Sequence, residues 1–172
     1  MQTVLKETTG VGAEHQQYLT FRLGEETFAM PILMIKEILE YPEMTSVPMM
    51  APCVRGVLNL RGRVVPVVDL AVRFGRAASK PTRRTCVVIL EVQTAEEQLD
   101  VGIIVDGVNQ VIDIPAADIE PPPSFGARLR TDFIRGMGKV NGGFVVILDS
   151  STVLSIHEIA ALGMVTEAGT AP

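Results

Sequence analysis

The fold is decided by one stretch, which reads Val54-Arg55-Gly56-Val57-Leu58-Asn59-Leu60-Arg61-Gly62-Arg63-Val64-Val65-Pro66-Val67-Val68-Asp69-Leu70. It contains two short runs of aliphatic, mostly β-branched residues, which favour strands. Gly62 lies between the runs and tolerates the positive φ that a tight hairpin turn requires. The stretch therefore predicts a β-hairpin with Arg61 at its tip. Because Pro66 cannot donate a ladder hydrogen bond, its strand is expected to be an edge strand or a bulged one.

The hairpin pattern returns later in the chain. Five of its residues recur in step, since Arg55, Gly56, Gly62, Val65 and Asp69 match Arg135, Gly136, Gly142, Val145 and Asp149. A second echo precedes each copy, in which residues 28–39 align with residues 101–112. Self-similarity in the same order indicates a duplicated unit. Chance agreement between valine-rich strands is the alternative, but it does not account for the matching arginine, glycines and aspartate.

Composition excludes several classes of protein. The chain has 172 residues, of which 47% are hydrophobic and 20% charged, as in a folded globule. Its net charge of −5 and its lack of tryptophan disfavour nucleic-acid binding, which needs a basic field and stacking platforms. No uncharged apolar run approaches the ~18 residues of a membrane span, so no membrane insertion is expected.

The termini and cysteines point to a cytoplasmic protein. Residues 1–16 lack the continuous apolar segment of a signal peptide. Cys53 and Cys86 have no metal-binding spacing, so we expect reduced thiols. His15 and His157 lie in no recognisable nucleophile arrangement, and the sequence suggests no active site, metal or cofactor.

Short strands at close spacing, separated by glycine turns, predict a mainly β protein of two small barrels. We expect a flexible arm at residues 1–16, a folded domain at 17–162 and a tail at 163–172. The first barrel would span about 20–82 and the second about 83–150, with the N-terminal strand as one way to complete the second. A C-terminal helix is expected at 151–162, capped by Ser151.

Three local features leave alternatives open. Residues 31–40 are read as one helical turn followed by a strand from about Lys36. Asp69 and Asp149 end strands, where strand-end capping or a salt bridge is favoured over a phospho-acceptor. The connector at 73–84 is either a solvated loop or a docking site for an acidic surface; its cations are Arg73, Arg76, Lys80, Arg83 and Arg84.

With these motifs in view, the chain resembles the CheW family of chemotaxis adaptor proteins over residues 17–162. The resemblance is carried by the hairpin motif that ends at Leu70, by the Ile32-Leu-x-Ile-x-Glu37-Ile38 motif and by the Gly102-Ile-x-Val-Asp106-Gly-Val108 motif. It implies two five-stranded SH3-like barrels that share a hydrophobic core. It also implies a non-catalytic protein that couples methyl-accepting chemoreceptors to the histidine kinase CheA and is recruited from the cytoplasm to receptor arrays.

The resemblance assigns two binding sites. A groove between the barrels would receive the cytoplasmic tip of the receptor, and Arg61 corresponds to the family arginine on which coupling depends. The groove residues are Ile32, Ile35, Glu37, Arg61, Val87, Gly102, Val108 and Val111. The ends of the barrels would bind the CheW-like regulatory domain of CheA and build rings with it, through Val54, Arg55, Gly56, Val57, Asn59, Val140, Phe144 and Val146.

Two alternatives remain at the level of sequence. One is a CheW-like adaptor of a different chemosensory-type pathway, such as one that governs pilus motility. The other is an enzyme or a small-ligand-binding protein built on the same barrels.

Overall fold

The structure is a computed structural model that describes residues 15–93, 97–122, 130–155 and 157–160. The strands of the first half are β1 (His15–Leu23), β2 (Glu26–Pro31), β3 (Ile35–Glu40), β4 (Val54–Leu60) and β5 (Arg63–Asp69). Those of the second half are β6 (Cys86–Gln93), β7 (Gln98–Val105), β8 (Gly107–Pro115), β9 (Ile119–Glu120), β10 (Ile134–Val140) and β11 (Gly143–Leu148). Short helices, α1 (Leu70–Arg73) and α2 (Ser150–Val153), follow β5 and β11.

The strands form two sheets. One has five strands in the order β3-β6-β7-β5-β4, and the other has six in the order β8-β1-β2-β11-β10-β9. The predicted mainly β fold is confirmed. The sheets do not, however, divide the chain near residue 82. β1 and β2 join β8–β11, whereas β6 and β7 join β3–β5.

The two halves therefore exchange their first hairpins, which explains why the sheets differ from the units 20–82 and 83–150. The exchange is made through two parallel pairings, β5 with β7 and β11 with β2. A parallel partner cannot follow directly through a tight turn, because the chain must first cross back to the starting end of the sheet. Sequence echoes identify the repeated unit but not this exchange.

The two long hairpins are near copies of each other. Their turns have positive φ at both central positions, 52° and 85° at Arg61 and Gly62, and 50° and 81° at Asn141 and Gly142. This is the geometry that matches the twist of paired strands. β4 and β10 each carry a bulge at the same place in the repeat.

The two parallel pairings join residues that are equivalent in the two sequence echoes. Val67 pairs with Gly102 and Ile147 pairs with Ala29, and in the echoes Ile147 is the equivalent of Val67 and Ala29 that of Gly102. The duplication read from sequence therefore holds at the level of strand register.

Pro66 is not in an edge strand, because β5 lies between β7 and β4. It pairs with Val57, whose N–H and C=O both bond Thr45 on the other side of β4. The nitrogen of Pro66 therefore points toward β7, where parallel pairing begins one residue later at Val67. Val146, the equivalent of Pro66 in the second hairpin, does pair with the parallel strand, since it is opposite Phe28 of β2.

Three apolar clusters hold the fold together. The first barrel is filled by Leu58, Val65, Val67, Val87, Ile89 and Ile104. The second is filled by Tyr18, Ala29, Ile114, Val145 and Ile147. A larger shared core lies between the sheets, and a row of rings runs through it, formed by Phe21, Phe28, Phe74 and Phe133 with centroids 5.5 to 6.1 Å apart.

The caps and the length of the C-terminal helix differ from the prediction. Asp149, rather than Ser151, caps α2, since its Oδ1 accepts the Ser151 N–H at 3.1 Å. Asp69 caps α1 in the same way, and its carboxylate also forms a salt bridge with Arg55. The helix expected at 151–162 is a four-residue turn followed by a second helical segment at 157–160.

The ends of the predicted domain lie mostly outside the described residues. Residues 1–14 of the expected arm and the tail at 163–172 are not described. His15 and Gln16, also assigned to the arm, instead pair with β8 as part of β1. One 3₁₀ turn at Ile32–Met34 followed by β3 confirms the interpretation of residues 31–40.

Gly56→Ala is expected to lower the free energy of unfolding by about 2 kcal/mol, because overpacking against rigid backbone is destabilising. A Cβ at Gly56 would lie 2.6 Å from the carbonyl oxygen of Thr45, which cannot withdraw without breaking its bridge to β4. Urea denaturation measures the change. Gly143→Ala is the matched control, since its Cβ would meet nothing closer than 3.8 Å. Equal midpoints for the two variants would contradict the packing argument.

Candidate interaction surfaces

A surface ion pair joins Arg61 to Glu37 in the first barrel. The Arg61 Nη2 donates to Glu37 Oε1 at 2.5 Å. Arg61 follows β4 and Glu37 lies in β3, and these are the two outermost strands of the five-stranded sheet. They meet because the sheet curls round, and aliphatic residues of both strands pack on one interior cluster. Barrel closure thus creates the pair.

The turn holds Arg61 outward. The Asn59 side-chain oxygen accepts the Gly62 N–H at 2.9 Å, which fixes the turn in which Arg61 takes its left-handed conformation. The Arg61 side chain is 74% exposed, against 28% for Glu37. The hydrogen bond to Glu37 raises the pKa of the Arg61 guanidinium, so the group stays charged. Its remaining N–H groups are available to a carboxylate or carbonyl of a partner.

More charges lie near this pair. Asp100 on β7 accepts from Lys36 of β3 at 3.2 Å, and Arg63 at the start of β5 is 3.5 Å from the same carboxylate. Lys36 neighbours Glu37 and Arg63 neighbours Gly62 along the chain. This band of alternating charge suits recognition of a polar partner surface in one register.

Two edge strands present matching apolar residues. β3 and β8 are the outer strands of their sheets, and the second echo makes Ile35 equivalent to Val108 and Ile38 equivalent to Val111. Ile35 and Val108 are half-buried on the shared core, as is Ile32. Ile38 is 45% exposed and Val111 is 44% exposed. Both strands also carry a register shift beside these residues, which protects an edge from pairing with another chain.

Val87 and Gly102 lie inside the first barrel. Val87 is fully buried, and a Cβ on Gly102 would come within 2.9 Å of the Val87 Cγ1. Neither residue presents a side chain to solvent, although both had been assigned to the receptor groove. β6 and β7 are nearly continuous apolar runs because both of their faces are covered, so alternation does not distinguish the barrel interior from the groove.

The residues assigned to the kinase site are mostly held within the fold. Arg55 donates to Asp69 Oδ2 at 2.6 Å, to the Tyr41 hydroxyl at 2.5 Å and to the Ser79 carbonyl at 3.0 Å. Asp69 is almost fully buried, and its carboxylate also accepts hydrogen bonds from the Ser79 N–H and hydroxyl. Arg55 therefore ties the connector to the end of β5 rather than projecting outward.

The other members of this set differ in exposure. Gly56 is buried against Thr45, and Val57 is half-buried beneath the same bridge. Val54 and Val146 pack on the shared core, and Val140 packs on the core of the second barrel. Asn59 and Phe144 are exposed.

Val64 was not singled out from the sequence. It is 72% exposed and is the repeat equivalent of Phe144, which is 55% exposed. Each hairpin tip thus carries an exposed apolar residue. Comparison of the two copies at this position, rather than motif matching, would have found Val64.

Two arginines of the connector have structural roles. Arg73 is buried, and it donates to the carbonyls of Val153 and Thr152 at 2.7 and 2.9 Å and to Glu158 at 3.0 Å. It therefore ties α1 to the end of α2. Arg76 pairs with Glu26 and lies over the Phe74 ring.

Arg130 completes the contacts around Phe133. Arg73 and Arg130 both lie over the Phe133 ring, at 4.8 and 4.3 Å from its centroid. Arg130 also bonds Asp132 and Glu158. The two guanidiniums lower the pKa of the Glu158 carboxyl, with Arg130 contributing most.

Within the described ranges, no group of three His, Cys, Asp or Glu residues could hold a metal ion. Both cysteines are free thiols, and burial raises the pKa of Cys53 and Cys86. No helix that the structure describes is long and apolar enough to cross a membrane. The fold defines a double-barrel protein with exposed apolar residues on its edge strands and hairpin tips.

Comparisons with known proteins agree on one family. The family described as CheW-like domain matches residues 17–158. Chemotaxis protein CheW of Klebsiella aerogenes is 34% identical over 152 residues, which cover 88% of this chain and 89% of that one. The chain belongs to the CheW family of chemotaxis adaptor proteins.

Two further relatives extend this result. Protein FrzA of Myxococcus xanthus is 31% identical over 130 residues, covering 74% of this chain and 76% of FrzA. The crystal structure of the scaffolding protein TtCheW from Thermoanaerobacter tengcongensis is similar with a TM-score of 0.70 and 30% identity. That likeness covers 78% of this chain and 84% of TtCheW.

Proposed function

We propose that the chain couples the cytoplasmic tip of a methyl-accepting chemoreceptor to the regulatory domain of the histidine kinase CheA. It acts as a cytoplasmic adaptor that is recruited to membrane receptor arrays, and it catalyses no covalent step itself. Membership of the CheW family supports this function. The observation that carries it is the ion pair between Arg61 and Glu37, since Glu37 lies on the edge strand β3 that also carries Ile35 and Ile38.

The proposed receptor site runs along β3 and β8. Its members are Ile32, Ile35, Glu37, Arg61, Val108 and Val111, to which the repeat adds Ile38. A helical receptor tip would place apolar residues on the exposed aliphatics, while Arg61 and Glu37 set its register. Val87 and Gly102 act indirectly, by packing inside the first barrel, whose interior cluster also holds Leu39 of β3.

The proposed kinase contacts lie on the hairpin tips. Phe144, Val140 and Asn59 are near the turns, and Val64 is the added member. Val54, Arg55, Gly56, Val57 and Val146 shape these hairpins from within. Because one tip belongs to each barrel, a single adaptor could contact two kinase domains, and alternation of the two proteins would build a ring.

The mechanism needs no chemistry on the adaptor. A receptor shift changes its contacts with the groove, and the kinase responds through differential contacts with the tips. Exposed apolar residues supply affinity, and the charge band supplies orientation.

The double variant Ile38→Asp/Val111→Asp is expected to bind a purified receptor signalling fragment at least about tenfold more weakly. At each position the complex loses the burial of an aliphatic side chain and must desolvate a carboxylate instead. Both side chains are close to half exposed, so folding should be retained. Sedimentation or surface plasmon resonance measures the affinity. Val47→Asp is the control, since Val47 is 38% exposed in the loop before β4. Unchanged binding of the double variant would remove β3 and β8 from the site.

The function itself is tested by reconstitution. Purified adaptor, receptor fragment and CheA are mixed, and kinase autophosphorylation is followed with and without the adaptor. We expect receptor-dependent stimulation only when the adaptor is present. Stimulation that is independent of the adaptor would overturn the proposal.

A second candidate is an adaptor of a different chemosensory-type pathway, supported by the similarity to FrzA. The same assay separates the two functions. If the adaptor allows receptors of such a pathway to stimulate their kinase, but not receptors of flagellar chemotaxis to stimulate CheA, the second function is favoured.

A further inference from the structure

A cavity of about 420 Å³ lies at the connector, and none of the residues proposed above as receptor or kinase contacts lines it. It is lined by Leu23 and Gly24 at the turn between β1 and β2, by Ala71 of α1 and by residues of the connector. Charged residues enter it from three segments: Arg22 from β1, Arg76 and Lys80 from the connector, and Asp106 from the turn between β7 and β8.

The charges of this cavity are unbalanced. Glu26 pairs with Arg76, and Asp106 accepts the Gly24 N–H at 2.7 Å. Lys80 and Arg22, by contrast, form no ion pair with a carboxylate of the described residues.

Two further cations adjoin the cavity. Arg83 and Arg84 follow Thr82, which lines it, and they too have no ion pair within the described part of the chain. A Cβ on Gly107 would lie 3.7 Å from Arg22 Nη1 and 3.8 Å from Arg84 Cβ, so these two arginines are neighbours. A local positive field is thus maintained on a chain whose net charge is −5.

The form of the cavity indicates which anion it suits. Leu23, Ala71, Ala77 and Ala78 give it partly apolar walls, and the cations in or beside it come from β1 and from several positions of the connector. A single phosphate would need converging donors. An extended segment with several carboxylates can instead contact each cation in turn while its backbone and methylenes cover the walls.

A flat anionic membrane fits less well. The exposed large apolar side chains of the described residues lie elsewhere, none of them between residues 74 and 85, so nothing beside the cations would insert into lipid. The cations also border a concave site, which a planar surface cannot enter.

We propose that this cavity, bordered by Arg22, Lys80, Arg83 and Arg84, is a docking site for an acidic peptide segment of a partner protein. The rest of the negatively charged surface repels such a segment and steers it to this face. The inference does not depend on the receptor and kinase contacts proposed above, and each can fail without the other.

The test uses a fluorescently labelled deca-glutamate peptide and the full chain. Fluorescence anisotropy should show binding at low salt that weakens as salt rises, because exposed charges are screened. The triple variant K80E/R83E/R84E should bind at least about tenfold more weakly, since three attractive contacts become repulsive. All three residues are exposed, so the variant is expected to fold. K80R/R83K/R84K keeps the charge and should bind within about twofold of the wild type.

The location is tested with ¹⁵N-labelled protein. Addition of the peptide should shift the amide resonances of Gly24, Ala77, Ala78 and Ser79, which line the cavity. The proposal is overturned if the wild type shows no salt-dependent binding or if K80E/R83E/R84E binds as well as it does. Shifts confined to other surfaces would also overturn it, as would binding to phosphatidylserine vesicles without binding to the peptide.

Discussion

Arg61→Glu is expected to abolish receptor-dependent stimulation of the kinase while leaving the fold intact. The side chain is 74% exposed and makes one ion pair, and exposed pairs contribute only about 0–1 kcal/mol to stability. Its reversal, however, places a second carboxylate beside Glu37 and removes the guanidinium that would bind the receptor. Autophosphorylation of CheA in the reconstituted system measures the effect, and thermal unfolding monitors the fold.

The charge swap Glu37→Arg with Arg61→Glu is the informative control. It restores an ion pair between β3 and the hairpin turn but exchanges the positions of the charges. If Arg61 contacts the receptor directly, the swap should stay inactive. Full stimulation by the single variant Arg61→Glu would exclude Arg61 from the site, whereas stimulation restored by the swap would show that only the pair matters.

Arg73→Leu is expected to lower the free energy of unfolding by about 3 kcal/mol, the cost typical of breaking a buried charged network. Leucine retains apolar volume but leaves the Val153 and Thr152 carbonyls without their donor, and Glu158 loses one of its two cations. Urea denaturation at neutral pH measures the loss.

Arg76→Leu is the matched control, three residues along the same connector. Its ion pair with Glu26 is far less buried than the contacts of Arg73, with the two side chains 31% and 45% exposed, so we expect a loss of no more than about 1 kcal/mol. Equal losses for the two variants would contradict the structural role given to Arg73.

The same network adds a pH dependence with a defined sign. The pKa of Glu158 is lowered in the folded state, so its stabilisation is present at neutral pH and is lost as the pH falls through the folded-state pKa. Arg73→Leu removes one of the two causes of that shift. The variant should therefore lose less stability on acidification than the wild type does.

Local geometry proved readable from the chain. The hairpin at residues 54–70, its repeat and the single helical turn before β3 follow from glycine placement, β-branched runs and a proline. All of these depend on neighbours within a few residues, which is why they can be seen in one sequence.

It was harder to predict whether a side chain points into the fold or toward a partner. Val87 and Gly102 were assigned to the groove, and Arg55 to the kinase site, but the structure places the first two inside a barrel and directs the third toward Asp69. Strands covered on both faces show no alternation, and an arginine gives no sign of whether its carboxylate lies within the molecule or on a partner.

The sequence by itself determined a duplicated β unit, two glycine-containing hairpin turns and a family of adaptors. Only the tertiary structure decided that the halves exchange hairpins, that Glu37 meets Arg61 across a closed barrel and that Arg73 ties α1 to the end of α2. The physical reason is range. Backbone conformation responds to adjacent residues, whereas parallel pairing, barrel closure and buried charge networks join segments that are distant along the chain.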